Sequence, residues 1–286
     1  MAKLFVDNLT VMDFSYLDLH RGVVGESWIV DIELAGELDE QGMVFDFGDV
    51  KKQIKRFIDE HADHRLLVPA DSPGCETQID GNERVVEFPL ASGALVRHRS
   101  PDEAVLLLEG SSIDPGVIAA QLQTQLIEVL PENVQEVLIT LRPESIEGAF
   151  FHYTHGLEKH QGQCQRIAHG HRSRLEISID GERSSRLESH WAQRLADSYI
   201  ATEHHVVGSF ECNDIAHTKL AYSASQGEFE ISLPRSQVFL IPLVSTVENI
   251  AIHLAGCVAR DHAEAGTGQV KVKAFEGVGK GAFGTA

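Results

Sequence analysis

Val24–Glu37 reads VGESWIVDIELAGE and His169–Glu182 reads HGHRSRLEISIDGE, two stretches whose residues stay 145 positions apart throughout. In the first, Trp28, Val30, Ile32 and Leu34 alternate with Asp31 and Glu33. In the second, Leu175, Ile177 and Ile179 alternate with Glu176 and Ser178. Period-2 alternation is the mark of a half-buried antiparallel strand, and its recurrence at a fixed offset points to one supersecondary unit used twice. A helical pattern follows each strand: Val50, Ile54, Phe57 and Ile58 in the first copy, Leu187, Trp191 and Leu195 in the second. Asp114-Pro115 then predicts a capped helix carrying Ile118, Leu122, Leu126 and Val129, and Thr246 predicts another carrying Ile250, Leu254 and Val258. Val137–Leu141 leads to Glu144 and Val270–Lys273 to Glu276, so each copy closes on a strand followed by a glutamate. The expected organisation is α+β in two units, 1–147 and 148–286. The alternative is one irregular α+β domain whose similar strands are coincidental.

With 43 acidic against 24 basic residues, the 286-residue chain carries a formal charge of -19. That balance repels nucleic-acid backbones and anionic membrane surfaces, so neither is an expected partner. Cys75, Cys164, Cys212 and Cys257 form no CxxC pair and the N-terminus lacks a basic start with an apolar run, which suggests a reducing cytoplasm. The longest apolar run, Val238–Val244, is far below the roughly 20 residues of a membrane span and contains a proline.

His169-Gly170-His171 is the sharpest chemical feature, because residues two apart on a strand share a face and can reach one ion. With 15 histidines in the chain, an isolated HxH carries little weight. Phe151-His152-Tyr153-Thr154-His155 and Cys164, however, lie just upstream. Three neutral imidazoles suffice to hold a catalytic zinc with a position left open. Asp63-His64 and Glu203-His204 each read either as a carboxylate-oriented acid/base or as a solvated turn. Arg97-His98-Arg99 reads as a surface strand, and the cysteines other than Cys164 as ordinary small residues.

Taken together these motifs resemble the 6-pyruvoyl-tetrahydropterin synthase family, which includes the 6-carboxy-tetrahydropterin synthases of queuosine biosynthesis. The resemblance spans nearly the whole chain, twice. It implies tandem tunnelling-fold (T-fold) domains, each an antiparallel sheet with two helices packed on one face, assembling edge to edge into a barrel as a homo-oligomer. The copies keep different motifs. The second has Phe151–His155, Cys164 and His169–His171, but only Ser184-Ser185-Arg186-Leu187 where the family carries GMVxDFG. The first has Gly42–Gly48 (GMVFDFG), Asp63-His64 and Arg142-Pro143-Glu144-Ser145, but Asp18 and Val24-Gly25-Glu26 stand at the histidine positions.

The resemblance further implies Zn2+ on His155, His169 and His171. Cys164 would be the proton acceptor, His64 oriented by Asp63 the second acid/base, and Glu144 the pterin anchor, with Glu276 and Thr246 as further substrate contacts. Glu203 and His204 are the alternative relay. Because family sites form between subunits, the complementary losses imply one composite site per chain, with a site of second-copy units as the alternative. The implied reaction converts 7,8-dihydroneopterin triphosphate, a small-molecule substrate, with loss of triphosphate. Rival readings are a non-catalytic pterin-binding protein and a T-fold aldolase or epimerase.

Overall fold

A computed structural model of the chain describes residues 1–262 and 268–286. The first half runs β1 (Ala2–Asp18), β2 (Gly22–Gly36), α1 (Phe47–His61), β3 (Leu66–Pro69), β4 (Glu76–Asp80), β5 (Glu83–Pro89), β6 (Leu95–Pro101), β7 (Val105–Leu108), α2 (Pro115–Leu126) and β8 (Val134–Pro143). The second runs β9 (Phe150–His155), β10 (His169–Ile179), β11 (Glu182–Arg183), α3 (Ser185–Arg194), β12 (Ser198–Thr202), β13 (Val206–Cys212), β14 (Ile215–Ala224), β15 (Gly227–Pro234), β16 (Val238–Ile241), α4 (Val247–His262), β17 (Val270–Phe275) and β18 (Gly281–Thr285).

One plan underlies both halves. The first sheet has the order β7-β3-β1-β2-β8, the second β16-β12-β9-β10-β17-β18 with β11 beside β10. The centre of each is antiparallel, as the alternation requires, and is flanked by two short strands in parallel, β3 and β7 or β12 and β16. LLVP and VLLL are uniformly apolar and four residues long, too short for a period to show.

Each helix begins at a capping side chain, Asp114 as expected. Asp46 accepts from the Gly48 N–H at 2.8 Å, Asp114 from the Gly116 N–H at 2.8 Å, and Ser184 precedes α3. Val50, Ile54, Phe57 and Ile58 are buried against the first sheet, and Leu187, Trp191, Ile250, Leu254 and Val258 against the second. Val129 departs from expectation: α2 ends at Leu126 and Val129 is 62% exposed in a following 3-10 turn.

Two features join the halves. Hairpins from each form a common sheet, β13-β14-β15-β6-β5-β4, in which Ile231 of β15 pairs with His98 of β6. His98, expected on a surface strand, is therefore buried. Beneath it lies a core drawn from both halves, with Val23, Phe88 and Val96 packed among Tyr199, Phe229 and Leu233. The two main sheets also cross with their backbones in contact. A Cβ on Gly25 would lie 1.8 Å from the Tyr153 carbonyl oxygen, and one on Gly170 would lie 2.5 Å from the Gly25 Cα. Ser15 and Thr154 share a hydroxyl hydrogen bond of 2.8 Å at the same crossing.

Candidate metal centre and relay

Strand alternation places His169 and His171 on one face of β10, and the β9–β10 register sets His155 opposite His169. The Nε2 atoms of His155 and His171 are 3.2 Å apart, and all three imidazoles offer ligand atoms within 4.8 Å of one another. All three side chains are buried. His155 Nδ1 lies 2.8 Å from the Ser245 carbonyl oxygen and His169 Nδ1 2.9 Å from that of Arg166. A carbonyl can only accept, so each Nδ1 carries the proton and each Nε2 lone pair faces the centre. Burial, reinforced by neighbouring imidazoles, holds His155 and His169 well below the usual histidine range and so neutral. Neutral, oriented imidazoles converging on one point fit a divalent zinc ion.

His171 is oriented differently. Its Nδ1 lies 3.2 Å from Asp13 Oδ1, and Asp13 is also contacted by Ser27 Oγ at 2.5 Å and Lys280 Nζ at 3.2 Å. Burial alone would raise the Asp13 carboxyl; His171 and Lys280 outweigh it and hold the group well below the usual carboxylate range. The Asp13 N–H donates to Asp63 Oδ1 at 2.7 Å. Asp63 thereby belongs to the same network as the histidines.

His64 follows α1 in a left-handed conformation, φ 54°, with its N–H donating to the Asp13 carbonyl at 2.7 Å. Its Nδ1 is 2.5 Å from Asp63 Oδ2 and its Nε2 is 3.2 Å from Cys164 Sγ. Burial would lower the His64 pKa, but the hydrogen bonds to Asp63 and Cys164 prevail and raise it well above its ordinary range. An imidazolium thus bridges a carboxylate of the first half and a thiol of the second, its ring 4.9 Å from that of His169.

The remaining candidates fall elsewhere. Glu276 Oε1 is 3.9 Å from His171 Nε2, at the centre. Glu144, expected there as the pterin anchor, instead pairs with Arg174 at 3.2 Å. The registers give the reason. Leu141 pairs with Val30 and Ala274 with Leu175, so the counterpart of Glu276 is Pro143, and Glu144 lies one residue further, on the opposite face. Thr246 caps α4, its Oγ1 3.4 Å from the Asn249 N–H, next to the carbonyl that orients His155. His204 approaches Glu158, and Glu203 opens the same turn.

Two positional equivalences also differ from the sequence reading. Tyr16 pairs with Val24 as His155 pairs with His169, so Tyr16, not Asp18, stands where the first histidine would be. Leu66 pairs with Ser15 as Tyr199 pairs with Thr154. Counting back two residues makes Asp197 (φ 55°), not His204, the counterpart of His64. Asp197 accepts from Arg21 Nε at 2.9 Å, so an ion pair occupies the place of the thiol–imidazole pair. Asp13 and Lys280 were missed by sequence reasoning. A carboxylate between Met12 and Phe14 in a strand was the available signal for Asp13; Lys280, in a Gly-rich turn, offered none.

The sequence profile of the 6-pyruvoyl tetrahydropterin synthase family matches residues 19–100 and 146–284. A Pyrococcus abyssi protein bearing the provisional name 6-carboxy-5,6,7,8-tetrahydropterin synthase is 23% identical over 136 residues, 46% of this chain and 76% of that protein. The Rickettsia felis 6-carboxy-5,6,7,8-tetrahydropterin synthase is 37% identical over 57 residues, 20% of this chain and 41% of that protein. Among solved structures, a catalytic-residue mutant of Plasmodium vivax 6-pyruvoyltetrahydropterin synthase aligns with a TM-score of 0.40 at 18% identity, covering 49% of this chain and 90% of that one. With matches to the profile in both halves, the chain is a tandem-duplicated member of the 6-pyruvoyl tetrahydropterin synthase family.

Proposed function

We propose that the chain is a zinc-dependent 6-pyruvoyl- or 6-carboxy-tetrahydropterin synthase that takes 7,8-dihydroneopterin triphosphate and releases triphosphate. Units 1–147 and 148–286 contribute unequally, giving one composite site per chain. The observation that carries this reading is the 3.2 Å approach of His64 Nε2, from the first unit, to Cys164 Sγ, from the second, beside the three histidines.

Zinc held by His155, His169 and His171 would supply Lewis-acid polarisation of a substrate side-chain oxygen. Cys164, as thiolate, would accept the carbon-bound proton. His64, as imidazolium, can donate its Nε2 proton as the acid partner, and Asp63 fixes the ring with Nδ1 protonated so that Nε2 faces the sulfur. Asp13 spans His171 and Asp63, keeping the ligand set and the relay in register. Glu276 offers a carboxylate to substrate N–H or O–H donors.

The decisive assay incubates zinc-loaded protein with 7,8-dihydroneopterin triphosphate, with and without sulfite or a reductase, and identifies products by mass. Cys164→Ala and His64→Ala are each expected to lower kcat by about 10²–10⁴-fold. Zinc binding without turnover, or turnover that neither substitution reduces, would replace this reading with a pterin-binding protein or a different zinc chemistry.

A further inference from the structure

His204 and His205 sit side by side in the 3-10 turn after β12, and both direct Nε2 at one oxygen of Glu158, at 3.1 and 3.2 Å. Their rings are 4.3 Å apart, and the three ligand atoms lie within 4.8 Å of one another. The turn and Glu158 come from distant parts of the second half, so the convergence is tertiary. The His205 side chain is only 5% exposed and its ring packs 4.6 Å from that of Tyr222, while His204 and Glu158 are 54% and 28% exposed. One ligand is thus fixed in the interior and two stand at the surface.

We propose that Glu158, His204 and His205 form a second divalent-cation site, separate from the histidine trio, for a first-row ion such as Zn2+, Co2+ or Ni2+. Two imidazoles with one carboxylate are a donor set for these ions, and the exposed side leaves coordination positions for water. Glu158 lies three residues beyond His155 in the segment leading to Cys164, and the Leu157 N–H donates to the Cys164 carbonyl at 2.9 Å. A cation on Glu158 therefore clamps the segment that carries the thiol, and its role is to order that loop.

This inference does not depend on the synthase reading. Chelator-stripped full-length protein is dialysed to equilibrium against Co2+, and bound metal is counted by mass spectrometry for wild type, Glu158→Gln/His204→Ala and His169→Ala/His171→Ala. The first double variant changes partly exposed side chains, and its fold is checked by thermal unfolding. It should bind one Co2+ per chain fewer than wild type, and the trio variant should retain that ion. In the trio variant, Co2+ should also slow amide hydrogen exchange across residues 156–164. Equal Co2+ in wild type and Glu158→Gln/His204→Ala overturns the proposal. Failure of the trio alone appears differently, as a single wild-type ion that is lost in Glu158→Gln/His204→Ala.

Discussion

Asp13 supplies no ligand to the trio, yet His171, Ser27 and Lys280 meet its carboxylate, and its N–H reaches Asp63. Asp13→Asn keeps the shape and removes the charge, so metal affinity should fall about 10–100-fold, as for other partners of metal-bound histidines. Competition with a chromophoric chelator measures it, and unchanged affinity would remove Asp13 from the network. At the matching place in the first half, Glu26 lies 3.7 Å from His152 Nδ1, and burial lifts its carboxyl pKa to about 7 from an ordinary 4.5. A raised carboxyl pKa means the folded state holds the proton more tightly. The associated stability is present below about 4.5 and is lost as pH rises to about 7. Glu26→Gln, which mimics the protonated acid, should be about 3 kcal/mol more stable than wild type at pH 8 and near parity at pH 4, by urea denaturation. The trio, Cys164 and Asp63-His64 were legible through the family resemblance, since an isolated HxH carries little weight and Asp63-His64 by itself reads equally as a solvated turn. Asp13 was not, since its role arises only where the two sheets meet.

Elements carried their own punctuation where a cap or a period was long enough to show. Asp114 starts a helix as expected, and Asp46 and Ser184 start two others. Register was not legible: a one-residue offset sends Glu144 to the wrong face, and only the ladders β2–β8 and β10–β17 reveal it. The ladder crossing makes a further expectation testable. Gly25→Ala lies in the half without a metal trio, but its new methyl would collide with the Tyr153 carbonyl, two residues before His155 on the same strand. Overpacking of this kind costs about 3 kcal/mol, so a lower Tm accompanied by weaker zinc binding is expected, and a wild-type Tm would show that the sheets can part.

For the whole molecule, the common sheet and the core beneath it make the halves one folding unit. Residues 148–286 expressed alone would lose the β6 partner of β15 and the Phe88 and Val96 side of the shared core. No cooperative thermal transition is expected from that fragment, in contrast to the full chain; a sharp transition with full zinc binding would show the first half to be dispensable. Sequence repetition made the duplication visible, but nothing local could disclose a sheet assembled from hairpins more than a hundred residues apart.

The matched registers also bear on redesign. Tyr16, Val24 and Glu26 already occupy the backbone positions that His155, His169 and His171 occupy in the other half. A protein engineer seeking a two-metal version would therefore start from a scaffold already in register, with only side chains to exchange. The obstacle is the Arg21–Asp197 clamp, which stands where a new thiol and its imidazole would have to go.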